Sequence, residues 1–162
     1  LNPLDILRSS GGSDVEIPTL EITSSAWTDS LFLCAGFFDQ TFTLEDDRVI
    51  TFEASGMDVS LPKKDNQGSQ VLGVAIDNVR GEAQRRLDSA KAAGAEVLMI
   101  YRLYLESDPT APAERPMVLK ALNFSAEGPT VELQGGYLKL IDLAWPRFRY
   151  TTEFSPGIKY IT

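Results

Sequence analysis

Residues 70–106 read QVLGVAIDNVRGEAQRRLDSAKAAGAEVLMIYRLYLE, two alternating runs flanking one short helix. Leu72, Val74 and Ile76 fall on one face of the first run, because side chains along a strand alternate at period two. Asp77, Asn78 and Gly81 break that run and predict a helix start, since short polar side chains accept the free amides of a first turn. Ala83, Leu87 and Ala90 follow at i, i+4 and i+7 and mark a narrow apolar stripe. Gly94 is placed to end the helix, because glycine takes a left-handed backbone at little cost. Val97, Met99, Tyr101, Leu103 and Leu105 then share one face of a long strand, with Leu98, Ile100 and Tyr104 on the other. A strand apolar on both faces belongs in the middle of a sheet or against a partner. The core unit is therefore strand, helix, strand, and nothing in it carries chemistry.

Upstream, residues 16–23 alternate as a strand in which Pro18 predicts an edge or an early position. Residues 30–35 predict a second strand, followed by a loop at Gly36-Phe37-Phe38-Asp39. Two adjacent phenylalanines there either cap the core or make contacts. Large apolar side chains are more often buried, so burial is the first expectation. Residues 41–45 and 49–54 predict a hairpin turned at Asp46-Asp47, and residues 57–61 a further strand before the hydrophilic loop 62–68. Downstream, residues 107–116 carry three prolines and predict an extended loop. Residues 118–126 and 130–134 pair around Glu127-Gly128-Pro129, and Gly135-Gly136 ends the pair. Residues 137–143 fit helix and strand equally. About eight to ten short strands and one helix predict a mainly β, β-rich α+β fold: an antiparallel barrel or sandwich with one inserted short helix. Ser9-Ser10-Gly11-Gly12-Ser13 is linker-like, so residues 1–15 read as a flexible N-terminal arm and 16–162 as a single β-rich domain.

Composition narrows function by exclusion. The 162 residues are 43% apolar and 23% charged, ordinary for a globular chain. No apolar run reaches the roughly 18 residues of a membrane span, so no membrane insertion is expected. The chain begins with Leu1, which leaves a trimmed start open. Histidine is absent, which removes the usual proton shuttle, the commonest transition-metal ligand and any Ser-His-Asp or Cys-His site. The single cysteine, Cys34, lies in the apolar run SLFLCAGFF and predicts a buried small hydrophobe. The net charge of −8 resides in residues 1–81, with five Lys/Arg against thirteen Asp/Glu, while residues 82–162 carry ten of each. That skew opposes stable nucleic-acid binding and suits either a solvated face or a basic partner.

No catalytic, cofactor or metal residue is expected. Asp46 with Asp47, Asp58 near Asp65, and Glu106 with Asp108 are carboxylate pairs, but in turn contexts that predict solvated residues rather than a cleft acid and base. Gly135-Gly136 lacks the Lys and the strand-to-helix setting of a phosphate loop. The most informative polar run is Trp145-Pro146-Arg147-Phe148-Arg149-Tyr150. Arginine and aromatics dominate protein-protein hot spots, because they bury large area and still hydrogen-bond. Two readings stand side by side: a last strand sealing the barrel with Trp145 inward, or an interface formed by Trp145, Arg147, Phe148, Arg149 and Tyr150 together with Phe37 and Phe38.

Three segments carry a family resemblance: SGMDVSLPKKDNQGSQVLGVAIDNVRGEAQRRLDSA, EVLMIYRLYLESDPTAPAE and GGYLKLIDLAWPRFRYTTEFSPGIKYI. The AIDNV run with its helix, the DPTAP loop and the W-P-R-x-R-Y ending before P-G-x-K-Y are the most distinctive pieces. They resemble a family of phage and prophage minor tail proteins carrying a domain of unknown function, short relatives of the lambda-type minor tail protein L. The resemblance runs from about residue 16 to the end and brings no enzymatic residues. It implies a tail-hub-like β-barrel domain in the tip, or baseplate, of a long non-contractile tail, in a ring of three or six copies. Its implied partners are the distal tail protein, the hub or central tail-tip protein and the tape measure protein. The implied location is the virion, with passage through the host cytoplasm during assembly. The lambda-type protein also holds an iron-sulfur cluster in a cysteine-bearing C-terminal region; with Cys34 alone this chain implies none. Acidic residues such as Asp46, Asp47 and Asp58 could then face the tail lumen and repel passing DNA. Against this stand a carbohydrate-binding β-sandwich using Phe37, Phe38 or Trp145, a tail assembly factor absent from the mature particle, and a carboxylate hydrolase.

Overall fold

A computed structural model describes residues 14–61, 71–77 and 81–136. The strands are β1 (Glu16–Ser24), β2 (Leu31–Ala35), β3 (Gln40–Thr43), β4 (Val49–Ser55), β5 (Met57–Ser60), β6 (Val71–Asp77), β7 (Val97–Leu105), β8 (Met117–Glu127) and β9 (Thr130–Gly136). One helix, α1 (Glu82–Ala92), lies between β6 and β7. The fold is mainly β, one nine-stranded mixed sheet in the order β3-β4-β2-β1-β7-β8-β9-β6-β5. β7, apolar on both faces, is the fifth of the nine, as its sequence requires. β1, paired with β2 on one side and β7 on the other, is also interior. Pro18 therefore marks an early position in the strand and not an edge.

The 70–106 unit folds as strand, helix, strand, but its two strands do not touch. β9 and β8 lie between β6 and β7, so the helix carries the chain over a hairpin that forms later. The helix buries the expected stripe: Ala83, Leu87 and Ala90 are all buried. Its start differs from expectation. Gly81, at φ 67°, occupies the N-cap with no side-chain acceptor; Asp77 is still in β6, and Asn78 lies outside the described residues. The end follows expectation. Gly94 has φ 63°, its amide donates to the Lys91 carbonyl and the Ala95 amide to Ala90, which is the paired bonding of a glycine-terminated helix. Trp27, from the β1–β2 connection, clamps the helix from outside by donating Nε1–H to the Arg86 carbonyl at 3.0 Å.

The sheet curls because of one residue. β4, second in the order, passes through Gly56 alone into β5, ninth in the order. A one-residue link between distant positions brings one end of the sheet round to the other. The Asp77 amide fixes the seam by donating to the Gly56 carbonyl at 2.8 Å. No ladder joins β5 to β2, so the curl stays open and does not close into a barrel. Leu20, Ile22, Leu33, Leu72, Val74, Met99, Leu119 and Leu133 fill its inside, with Leu87 of the helix among them. Close packing has a local demand at Gly135, where a Cβ would sit 3.1 Å from both Leu119 Cβ and Met99 Sδ.

The wholly antiparallel expectation fails at one ladder: β2 and β4 pair in parallel. β2 and β3 are separated only by the loop 36–39, yet β4 inserts between them. A second core explains the detour. Phe42 of β3 stacks on Tyr104 of β7 at 4.4 Å and meets Phe52 of β4 edge-on at 5.5 Å, holding the β3–β4 hairpin over the outer face of β1 and β7. Cys34 is wholly buried in this cluster, and burial pushes its thiol pKa up, as suits a packing residue. The 107–116 loop is not the extended segment its prolines predict: it runs through turns and bends, with the Asp108 amide donating to the Leu105 carbonyl, and returns to β7 where the Ala113 amide donates to the Leu103 carbonyl at 2.7 Å. Of the expected arm, residues 1–13 lie outside the described residues. Its last two are bonded: the Glu106 amide donates to Val15 and the Ser107 amide to the Asp14 carboxylate. Residues 137–162, with the ambiguous 137–143 segment, also lie outside.

Candidate partner-binding site

Among the described residues, the buried charge is centred on Arg102, 5% exposed on β7. Thr19 is its cross-strand neighbour on β1, and Glu21 is two residues further along. Arg102 Nη1 donates to Glu21 Oε2 at 2.8 Å, and Nε donates to Glu45 Oε1 at 2.8 Å. Burial raises the Glu45 carboxyl, but the Arg102 hydrogen bond and charge outweigh it and hold the group below its ordinary value. For Arg102, burial opposes the charge and the two carboxylates outweigh burial, so its pKa rises. Tyr104 beside it donates its hydroxyl to the Thr43 carbonyl at 2.8 Å, and burial pushes its pKa up to about 12. Every member is paired. The network pins the β3–β4 hairpin to β1 and β7.

The open seam is different. There a cleft of about 370 Å³ lies between the ends of β2 and β4, Gly56, the end of β6 and the first turn of α1. Leu31, Leu33, Ile76 and Ala83 form its floor, and Asp39, Glu53, Asp77 and Glu82 bring carboxylates to it. Asp39 also accepts the Ala54 amide at 2.9 Å, which stabilises the loop where it crosses β4. Glu82 pairs with Arg86 at 2.8 Å. Among the described residues, no ion pair reaches Asp39, Glu53 or Asp77.

Phe37 stands at the rim of this cleft, 95% exposed, and Phe38 beside it is 81% exposed. Burial, the first expectation for this pair, is overturned. The tight loop from β2 across the end of β4 turns both rings away from the two cores. Of the predicted interface residues, these two are placed by the structure. Trp145, Arg147, Phe148, Arg149 and Tyr150 lie outside the described residues.

The predicted carboxylate pairs do not assemble. Asp46 is held below its ordinary pKa by a hydrogen bond and ion pair from Arg48 at the β3–β4 turn. Asp108 is lowered by hydrogen bonds from Thr110 in the proline loop. Asp58 is exposed on β5, away from both, and Asp65 lies outside the described residues. Among the described residues, no group of three or more His, Cys, Asp or Glu is arranged to hold a metal, and no helix is long and apolar enough to cross a membrane. The acidic cleft escapes sequence reading because Asp39, Glu53, Asp77 and Glu82 are scattered over four elements.

Compared with known families, residues 3–150 match DUF1833, described as a domain of unknown function. The match covers most of the chain, and the chain belongs to that family. No curated protein matches it.

Proposed function

For this member of the DUF1833 family we propose, from its resemblance to phage minor tail proteins, a structural role in the tail tip of a long-tailed, non-contractile phage, and not an enzymatic one. In this reading it forms part of a ring that links the tail tube to the distal receptor-binding apparatus. The observation that carries it is the pair Phe37 and Phe38, held in solvent at the rim of an open seam by a loop rooted in the sheet. Large apolar side chains presented this way suit a contact made on assembly. A second apolar strip, Leu98 and Val118, is exposed on the outward face of β7 and β8. Two unlike surfaces are what a ring subunit needs, because heterologous contacts close a ring. The curled sheet is then a sandwich-like hub domain whose open side is completed by neighbours. The distal tail protein, the central hub protein and the tape measure protein are the partners this reading assigns, in a ring of three or six copies.

Mass spectrometry of purified tails tests it. The chain is expected in the particle at a fixed ratio to the tube protein. Its presence only in assembly intermediates would favour a tail assembly factor.

The exposed Phe37 and Phe38 beside carboxylates also favour a second reading, carbohydrate binding by stacking on a sugar ring. A glycan array separates the two: saturable binding lost in Phe37→Ala supports the carbohydrate reading, and a blank array removes it.

A further inference from the structure

The seam cleft and the C-terminal arginine-aromatic run have complementary chemistry, and the cleft lies at the end of the β6–β9 pair opposite Gly136. Gly136, from which residues 137–162 depart, pairs with Val71 at the start of β6. Ile76 and Asp77, which line the cleft, pair with Val131 and Thr130 at the other end. At about 3.3 Å per residue, the two ends are separated by roughly 20 Å. We propose that the cleft, with Phe37 and Phe38 at its rim, receives residues 145–150 of a second copy of this chain. This head-to-tail contact is the one that repeats around the ring, so the inference rests on the tail-tip reading above.

Three features argue for that occupant. The first is charge: the segment carries Arg147 and Arg149, and the cleft carries Asp39, Glu53 and Asp77, none of these three in an ion pair among the described residues. The second is side-chain order. In the sequence, Trp145, Arg147 and Arg149 share one parity and Phe148 and Tyr150 the other, the pattern that strand pairing would sort to two sides. One side can then meet the carboxylates and apolar floor while the aromatic side meets the exposed phenylalanines at the rim. The third is placement. Gly136 and the cleft lie at opposite ends of the β6–β9 pair, and a tail and a cleft carried by one chain can join identical copies as a heterologous pair, which propagates and closes where the rotation allows.

Sedimentation of the full chain tests the contact with two variants, one on each side of it. The cleft variant is Phe37→Ser with Phe38→Ser and Glu53→Gln; the tail variant is Arg147→Gln with Arg149→Gln. The two phenylalanines and Glu53 are exposed, so an unchanged thermal melt is the expected control for folding. Wild type is expected to self-associate with rising concentration, and each variant alone to associate at least about tenfold more weakly. An equal mixture of the variants retains one intact cleft and one intact tail, so it forms a one-to-one heterodimer that grows no further.

Several results overturn the proposal: a wild-type monomer up to about 1 mM, association that neither variant weakens, or a mixture that forms no heterodimer. A tail bound to its own cleft gives the first of these. Each can occur while mass spectrometry still finds the chain in tails, so loss of this contact and loss of the tail-tip reading are distinguishable.

Discussion

Replacing Arg102 by methionine tests the energetics of the fold at its most charged buried point. The guanidinium is 5% exposed and bonds Glu21 and Glu45 at 2.8 Å each. The two acids are not equivalent: the Glu21 side chain is 8% exposed and that of Glu45 is 41% exposed. Removing one partner of a buried pair costs about 3–5 kcal/mol, because it leaves an uncompensated charge away from water. Arg102→Met strands Glu21 in that way, while Glu45 can turn to solvent. A domain of this kind is stabilised by about 5–15 kcal/mol in total, so the loss is a large fraction and shows directly in a urea titration. Glu21→Leu combined with Arg102→Met removes the stranded charge, and apolar replacement of a whole buried pair is often neutral or better. The double variant is therefore expected to be more stable than Arg102→Met alone. Glu45→Gln, at an exposed site where screening weakens the pair, is expected to cost about 1 kcal/mol or less. A cost below about 1 kcal/mol for Arg102→Met, or a double variant less stable than that single one, would refute the reasoning.

Three further outcomes follow from the same packing. Gly135→Ala is expected to destabilise by about 1–3 kcal/mol, because the new methyl meets Leu119 Cβ and Met99 Sδ at 3.1 Å; calorimetry reads it as a lowered melting temperature. Leu87→Ala, at the buried centre of the helix stripe, is expected to cost about 2–5 kcal/mol in the same assay, against under about 0.5 kcal/mol for an exposed helix position such as Gln84. Tyr104 titrates at about 12 when folded, against 10 for the free side chain, so folding favours its neutral form. Its contribution is complete below pH 10 and lost as pH rises toward 12, a fall of about 3 kcal/mol that denaturant titrations at stepped pH should show and Tyr104→Phe should flatten.

Much of the ladder was legible in sequence because its signals are local. Period-two alternation, with apolar runs and turn signals, placed the nine strands of the described residues, and the Ala83, Leu87 and Ala90 stripe placed the helix. Double-sided hydrophobicity put β7 at the centre. What alternation lacks is partner choice. Nothing local says that β4 pairs in parallel with β2, that two strands separate β6 from β7, or that one strand changes ladders at Gly56. Those are decided by long-range packing, above all Phe42 on Tyr104. Phe37 and Phe38 show the same limit from the other side. Composition favours burying them, and only the crossing of their loop over β4 leaves them in water. The carboxylates of the cleft come from separate elements and share no spacing. Arg102 carries no local sign of its two acid partners either, since Glu21 and Glu45 are distant in sequence.

Cryo-electron microscopy of purified tails tests the central claim most directly. The account predicts density for this chain in a symmetric ring at the distal end, between the tube and the receptor-binding apparatus. Tails whose distal density is fully assigned to other chains, with this one missing from the particle, would contradict it.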